Sequence, residues 1–179
     1  MNKKLVITKK IDNILKEKNL TAYKLSKLMQ VSDSALYGMI KGDTPFSKKF
    51  IEKLLPIIKV KESEFIGWII ADKYPKETIE LAVQTQKGKH DDKLILTTRL
   101  DEILSSKNIS RTSLSKIIDY SQGSLNDVIT GKKSISKSVI SRLAATLEIK
   151  EEQITSWIIA DKYSSESLKT ALKEQSDKI

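Results

Sequence analysis

Residue types that support covalent or metal chemistry are scarce in this sequence of 179 residues. There is no cysteine and only one histidine, His90, so a thiol nucleophile and a thiolate zinc site are excluded. The sequence also shows no nucleophile–histidine–acid set, no glycine-rich phosphate loop and no metal-ligand spacing. Asp72 and Asp161 each precede a lysine, which favours helix capping or local pairing. We therefore predict a protein that is not an enzyme and needs no metal or cofactor.

The sequence contains more basic than acidic side chains, and most of the basic ones are lysines. The formal net charge is +9, and it is shared unevenly. Residues 1–89 contain 18 lysines and 10 acidic residues, whereas residues 90–179 contain 14 basic and 13 acidic residues. A basic helical protein is a candidate for binding nucleic acid, because neutralised phosphates release counterions. The first half should contribute most of such an electrostatic attraction.

The heptapeptide Trp-Ile-Ile-Ala-Asp-Lys-Tyr occurs twice, beginning at Trp68 and again at Trp157, 89 residues later. A shift of 89 aligns residues 11–74 with residues 100–163 without a gap, and 25 of the 64 aligned positions are identical. A repeat of this length is too long for a solenoid unit and occurs too few times for an array. It predicts two homologous domains in tandem.

We place the two predicted domains at residues 1–88 and 91–179. The polar segment Gln84–Asp92, which contains Gly88 and His90, is the predicted linker. Each copy of the heptapeptide lies near the C-terminal end of its repeat, after most of the residues expected to form the core of the domain. We expect it to pack added C-terminal helices onto that core, with a contact between repeats or between chains as the alternative.

Apolar residues recur at helical spacing in both repeats, and proline and glycine are rare, so an all-α fold is predicted. In each repeat, Ser or Thr precedes each of two short helices and Gly follows the second, as N-caps and a C-terminal stop would. These residues are Thr21, Ser32 and Gly42 in repeat 1, and Ser110, Ser121 and Gly131 in repeat 2. The inward face of the first short helix in repeat 1 is predicted to carry Leu25, Leu28 and Met29. Two short helices joined in this way form a helix-turn-helix pattern.

The two helix-turn-helix segments are LSKLMQVSDSALYGMIKG, at 25–42, and LSKIIDYSQGSLNDVITG, at 114–131. They resemble the Cro/C1 family of DNA-binding domains, also described as lambda-repressor-like or XRE, over residues ~5–65 and ~94–154. The resemblance rests on apolar positions, one small residue and a closing glycine, namely Leu25, Met29, Val31, Leu36, Met39, Ser26 and Gly42, with Leu114, Ile118, Tyr120, Leu125, Val128, Ser115 and Gly131 as counterparts. Where the family usually has glycine in the turn, this sequence has Gln30 and Asp119. We expect the turn to survive, at a cost that is greater for glutamine.

In domains of this family, the second helix of the pair lies in the major groove and its N-terminal residues meet base edges. The resemblance therefore implies base reading by Asp33, Ser34 and Tyr37 in repeat 1 and by Gln122, Gly123, Ser124 and Asn126 in repeat 2. Gln122 suits adenine, whereas Asp33 could accept a hydrogen bond from cytosine but would repel phosphate. Phosphate contacts are expected from helix N-termini and flanking polar groups. These are Thr21, Tyr23, Lys24, Ser32, Lys41, Ser47 and Lys48, with Arg111, Ser121, Lys132, Lys133, Ser136 and Lys137.

These observations predict an all-α protein with two tandem lambda-repressor-like helix-turn-helix domains, each extended by C-terminal helices. The resemblance implies a transcriptional regulator of double-stranded DNA, acting as a repressor. Repeat 2 should supply most base specificity and repeat 1 mainly non-specific affinity, so that one chain recognises two dissimilar half-sites. Whether two chains form a homodimer is left open. The alternative is a protein-interaction module, an antirepressor or inhibitor, whose basic face binds an acidic partner.

The expected setting follows from composition and from the resemblance. No apolar run approaches the ~18 residues needed to span a bilayer, so we expect a cytoplasmic protein with no membrane partner. No small-molecule ligand is expected either. Richness in lysine, isoleucine and asparagine suits an AT-rich bacterial genome, and regulators of this kind are common on mobile genetic elements.

Overall fold

The computed structural model describes residues 5–87 and 93–176, and the regular structure in these ranges is entirely helical, as predicted. Within them, no helix is both long enough and apolar enough to cross a membrane. The helices are α1 (Val6–Glu17), α2 (Ala22–Met29), α3 (Asp33–Lys41), α4 (Lys48–Ile58), α5 (Glu62–Lys73), α6 (Lys76–Lys87), α7 (Ile95–Ser106), α8 (Arg111–Ile117), α9 (Gln122–Ile129), α10 (Lys137–Leu147), α11 (Glu151–Lys162) and α12 (Ser165–Ser176).

The chain divides into two compact units that do not coincide with the sequence repeats. Unit 1 consists of α1–α5 together with α12, and unit 2 is the continuous segment from α6 to α11. Each unit therefore consists of the first five helices of one repeat and the sixth helix of the other repeat. The predicted linker Gln84–Asp92 lies partly within α6, which extends to Lys87, and residues 88–92, including His90, lie outside the described residues.

In unit 1, α5 packs against α1 and is joined at its C-terminal end to α12. Its Phe65, Trp68 and Ile70 are buried. Gln175 of α12 donates hydrogen bonds to the carbonyl oxygens of Ala71 and Tyr74 at the end of α5, both at 2.8 Å. The heptapeptide of repeat 1 therefore joins α12 of repeat 2, rather than α6, to the core, so that the alternative, a contact between repeats, is the one that forms.

Unit 2 repeats this arrangement around α11. Gln86 of α6 donates to the carbonyl oxygens of Ala160 and Tyr163, at 2.6 and 2.8 Å, and Ile79 of α6 is fully buried. Because the side chain of Gln86 binds two carbonyl groups at the C-terminal end of α11, it acts as a C-terminal cap for that helix. In unit 2, the helix that caps α11 is therefore α6, at the N-terminal end of the unit.

The repeated aspartates Asp72 and Asp161 cap α1 and α7, the first helices of the two sequence repeats. The backbone N–H groups of Val6 and Ile7 donate to the Asp72 carboxylate, at 2.7 and 3.0 Å. Those of Ile95 and Leu96 donate to Asp161, at 2.8 and 2.9 Å. A carboxylate satisfies free N–H groups and complements the positive end of the helix dipole. The predicted capping role is confirmed, but the capped helix lies about 66 residues earlier in the sequence rather than nearby.

The turn after α2 adopts the conformation that glycine usually supplies. Gln30 and Asp119 have φ values of +54° and +47°, in the left-handed region that is strained for a residue with a Cβ atom. The expectation that the turn survives without glycine is confirmed in both repeats, and the greater cost for glutamine stays a prediction. The carbonyl oxygens that precede it are held by other side chains, as described below.

The predicted inward face of α2 was wrong at one position. Leu28 is 59 % exposed, as is its counterpart Ile117 at 58 %, whereas Leu25, Ser26 and Met29 are buried. Successive helical residues are separated by about 100°, so the buried residues span an arc from Leu25 to Ser26. Leu28 lies about 60° outside that arc, which agrees with its exposure.

Candidate nucleic-acid interface

In unit 2, α8 and α9 form a helix pair whose N-termini are both capped by serine. Ser110 Oγ accepts a hydrogen bond from the N–H of Ser113 at 3.0 Å, and Ser121 Oγ accepts one from the N–H of Ser124 at 3.2 Å. These caps satisfy N–H groups that the helices cannot satisfy internally. The apolar residues expected to join the two helices are buried, except that Tyr120 is only half-buried; the buried ones are Leu114, Ile118, Leu125 and Val128.

A basic side chain from α10 holds the turn between α8 and α9. Arg142 Nη1 donates to the carbonyl oxygens of Ile118 and Asp119, at 2.6 and 3.0 Å. A guanidinium binds such carbonyls with charge-assisted hydrogen bonds, which are stronger than neutral ones. It therefore fixes the turn at the residue that carries the backbone strain.

The far end of α9 is tied to α7. Thr97 Oγ1 donates to the carbonyl oxygen of Ile129 at 2.6 Å. Since Asp161 caps the same helix α7, a continuous series of hydrogen bonds runs from α11 through α7 to α9. The position of α9 is thus set at both ends by contacts within unit 2.

Four residues at the start of α9 carry the groups expected to meet bases. Gln122 and Gly123 are exposed, and Ser124 and Asn126 are half-exposed. They occupy the first five positions of the helix, on a scaffold that Arg142 and Thr97 hold in place. The carboxamide of Gln122 offers a donor and an acceptor side by side, which is the complement of the N6 and N7 edge of adenine.

The family model for the Cro/C1-type HTH DNA-binding domain matches residues 99–160, from within α7 to within α11. Residues 99–160 form one Cro/C1-type HTH domain. This match lies wholly within unit 2 and contains the α8–α9 pair. No match was found among the curated proteins or among the solved structures. The matched family is one of DNA-binding domains, and α9 is the second helix of the helix pair within the match.

Unit 1 contains hydrogen bonds around α2 and α3 that are equivalent to those of the HTH domain around α8 and α9, except that Lys53 binds one carbonyl oxygen where Arg142 binds two. Lys53 Nζ donates to the carbonyl oxygen of Met29 at 3.1 Å, where the HTH domain has Arg142. Thr8 Oγ1 donates to the carbonyl oxygen of Ile40 at 2.5 Å, where the HTH domain has Thr97. Thr21 and Ser32 cap α2 and α3. These hydrogen bonds were not predicted from the sequence, although residues 53 and 142 are both basic in the alignment of the repeats.

The exposed face of α3 differs from that of α9. The Asp33 carboxylate, predicted to meet a base, accepts a hydrogen bond from the hydroxyl of the buried Ser26 in α2. The Ser34 hydroxyl is hydrogen-bonded to that of Ser32 at 3.2 Å. Tyr37 is 49 % exposed, with Lys41 Nζ 6.0 Å from its ring centroid. Two of the three predicted reading side chains of unit 1 are thus engaged within the unit.

Most residues predicted to contact phosphate are exposed at the rim of the two helix pairs. Those exposed are Thr21, Tyr23, Lys24, Ser32, Lys41, Ser47, Lys48, Ser121, Lys132, Lys133, Ser136 and Lys137. Arg111 differs, since its guanidinium binds both carboxylate oxygens of Asp101, with Nη2 distances of 2.7 and 2.6 Å. Lys133 is also paired, at 3.2 Å from Asp127.

A metal site has no geometric support in the described residues. No group of three or more His, Cys, Asp or Glu side chains in residues 5–87 and 93–176 is placed to hold an ion. The lone His90 lies outside these ranges.

Proposed function

We propose that this protein is a sequence-specific, double-stranded-DNA-binding transcriptional regulator that acts as a repressor. The observation that carries the proposal is the exposed Gln122 at the start of α9, within a matched Cro/C1-type HTH domain whose reading helix is fixed at both ends. A fixed helix presents its side chains without a further ordering cost on binding. Occupancy of a promoter by such a protein blocks access to it, which makes repression the simplest outcome.

In the proposed complex, the HTH domain of unit 2 supplies most of the base specificity. Gln122 pairs with an adenine through N6 and N7, and Ser124 and Asn126 offer further hydrogen bonds to neighbouring bases. Ser121, Lys132 and Lys137 contact phosphates and set the position of α9 in the groove. Arg111 would contact phosphate while it remains bound to Asp101, since a guanidinium has five N–H donors.

We propose that unit 1 is a second HTH domain that contributes mainly affinity and a different half-site. Support comes from its ties at Lys53 and Thr8, which match those of unit 2 residue for residue at a spacing of 89. Ser34 and Tyr37 remain its candidates for base contact, and Asp33 acts by positioning α3 through Ser26. The exposed lysines Lys24, Lys41 and Lys48 supply electrostatic attraction. Linking the two units in one chain raises the effective concentration of the second site.

The test is selection of bound sequences from a random duplex pool with the wild-type chain and with Gln122→Ala, Asp33→Ala and Gln84→Ala. Gln84 is an exposed glutamine on α6, so Gln84→Ala is a control for the same chemical change away from α9. We expect a bipartite motif in which Gln122→Ala removes the preference for one adenine, at a cost of about 1–3 kcal/mol. We expect Gln84→Ala to leave the motif intact, and Asp33→Ala to alter the other half.

Two results would contradict the proposal. If no motif is enriched and binding depends on salt alone, the reading helices do not read bases, and an antirepressor or inhibitor that binds an acidic protein becomes the better account. If a motif appears but is unchanged by Gln122→Ala, the specificity lies outside α9.

A further inference from the structure

Helix α12 approaches α5 so closely at Gly67 that no side chain fits between the two helices. A Cβ atom built on Gly67 would lie 2.7 Å from the Cβ atom of Thr170 and 2.9 Å from the carbonyl oxygen of Ser167, both in α12. Non-bonded atoms do not approach to such distances, so a side chain at position 67 would push the backbone of α12 away from α5. The equivalent residue in unit 2 is Ser156. Glycine at position 67 therefore admits α12 to unit 1.

The two helices run in the same direction. Thr170 of α12 lies beside Gly67 of α5, and further along both helices Gln175 binds the carbonyl oxygen of Tyr74. Helix α6 follows α5 after a connection of two residues, and helices joined by so short a loop run antiparallel. The far end of α6 would then lie beside the start of α5. For this reason α6 is unable to make the contacts with α5 that α12 makes.

Few buried side chains hold α12 in place. Its buried residues are Ser167, Leu168 and Ala171, of which Leu168 has the one large side chain. Glu174 adds an ion pair, with its Oε1 atom 2.7 Å from Nζ of Lys10 in α1. Elements with few buried apolar contacts are the first to open by local unfolding. We therefore expect α12 to leave α5 while the rest of unit 1 stays folded.

A series of contacts joins α12 to the position of α3. Gln175 binds carbonyl oxygens on both sides of Asp72, and the Asp72 carboxylate accepts hydrogen bonds from the start of α1. Thr8 of α1 in turn binds the last turn of α3. Lys10 of the same helix pairs with Glu174 of α12. Departure of α12 would thus loosen α1, and α1 helps to hold α3.

We propose that α5 carries a docking surface for α12, and that α12 is a switch that holds α1 and α3 in position only while it is docked. Gly67 is the residue that permits docking. The docking equilibrium is independent of the proposed function, whereas its effect on DNA binding by unit 1 rests on that function. Docking of α12 then sets how much unit 1 contributes to the affinity of the chain.

The experiment measures amide hydrogen exchange by mass spectrometry in the full chain, without DNA. It compares wild type, Gly67→Ala and Gln175→Ala, with Lys169→Ala as the control. Lys169 is exposed on α12, so its substitution changes the same helix without changing the contact with α5. The equivalent helix α6 in unit 2 is the internal reference for exchange.

Chemical cross-linking reports the docked state in the same samples. A carbodiimide joins a lysine amine to a carboxylate that lies beside it, so the amide formed between Lys10 and Glu174 marks docked α12. The pair Lys107 and Glu148 in unit 2, at 2.6 Å, is the reference. The affinity of each variant for a duplex that carries only the half-site of unit 1 is measured separately, by fluorescence anisotropy at one salt concentration.

We expect Gly67→Ala to speed exchange in α12 roughly tenfold, because the new Cβ atom meets the backbone of α12. Alanine favours a helix more than glycine does, so a weaker α5 would not account for this result. Gln175→Ala should speed it about fivefold through the loss of two hydrogen bonds. In both variants exchange should also rise at the start of α1 and at the end of α3, and binding to the half-site of unit 1 should weaken. Exchange in α6 and the reference cross-link should not change.

Three outcomes would overturn the inference. Wild-type exchange in α12 of both folded variants would show that Gly67 and Gln175 do not control docking. Loss of all of unit 1 together with α12 would show that α12 belongs to the core and is not a switch. Faster exchange in α12 alone, with α1 and α3 unchanged, would show that docking does not position α3. If the expected exchange is found but no duplex is preferred, the switch stands and the proposed function fails.

Discussion

Helix α9 of unit 2 begins with an exposed glutamine, whereas the equivalent helix α3 of unit 1 begins with an aspartate that accepts a hydrogen bond from Ser26 within the unit. The hydrogen bonds that position the two helices nevertheless come from equivalent residues. Thr8 and Thr97 bind the last turns of α3 and α9, and Lys53 and Arg142 bind the turns that precede these helices. The two repeats therefore share the hydrogen bonds that position α3 and α9 and differ at the exposed residues with which the helices begin.

The two units also differ in their surface charge, as one equivalent pair of positions shows. In unit 2, Lys107 pairs with Glu148 at 2.6 Å, and the hydrogen bond and charge of Lys107 lower the pKa of the Glu148 carboxyl. The equivalent positions in unit 1 are the lysines Lys18 and Lys59. Exposed pairs of this kind contribute little to stability, so the exchange of an acid for a lysine changes the surface potential more than the fold. Unit 1 is consequently the more attractive unit for a phosphate backbone.

The largest effect is expected when the two possible boundaries of the second domain are compared. A fragment of residues 75–165 contains α6, whose Ile79 is buried and whose Gln86 caps α11. A fragment of residues 91–179 lacks α6. We expect the first fragment to be more stable by about 3 kcal/mol or more, from the burial of one isoleucine and two hydrogen bonds. Denaturant unfolding followed by circular dichroism measures the difference.

The same fragments sharpen the division of the chain. Equal stability would mean that α12 is able to take the place of α6 on α11, and would support the boundary at residue 91 that the repeat predicts. If only the fragment 75–165 unfolds cooperatively, unit 2 is an autonomous domain that begins with α6.

A smaller effect is expected at the two capping aspartates. Asp72→Ala and Asp161→Ala each remove two hydrogen bonds from backbone N–H groups to a carboxylate. We expect each to lower the free energy of unfolding of its own unit by about 2–4 kcal/mol. Asp43→Ala, at an exposed aspartate in the loop before α4, is the control and should change stability by no more than about 0.5 kcal/mol. Equal losses at Asp72 and Asp161 are expected, and a loss at only one would show that the units do not share this device.

Much of this architecture could be predicted from the sequence because it is local. Helix caps such as Ser32 and Ser121, the turn at Gln30 and Asp119, and the exposed start of α9 all follow from residues near one another in the chain. Which helix completes each unit could not be predicted, because α6 and α12 carry the same features. These include the pair Gln86 and Gln175 and the buried pair Ala82 and Ala171. Either helix suits either core by pattern, and only the three-dimensional contacts distinguish them.

Two features of the candidate site also escaped prediction. The hydrogen bond from Ser26 to Asp33 depends on how α2 and α3 cross, which periodicity does not specify. The exposure of Leu28 and Ile117 depends on which neighbours a two-turn helix has, and a helix so short buries fewer than half of its residues. At both places the sequence gives the residue types but not the side chains that they contact.

The most direct test of the central claim, that two equivalent scaffolds present different reading residues, is to transfer the reading residues of α9 onto α3. The variant carries Asp33→Gln, Ser34→Gly, Ala35→Ser and Tyr37→Asn in the full chain, and its preferred sequence is selected from a random duplex pool beside wild type. We predict that the two dissimilar half-sites of wild type become two copies of the half-site that α9 reads. A folded variant that still selects the wild-type motif would contradict the account, because α3 would then not be reading DNA in unit 1.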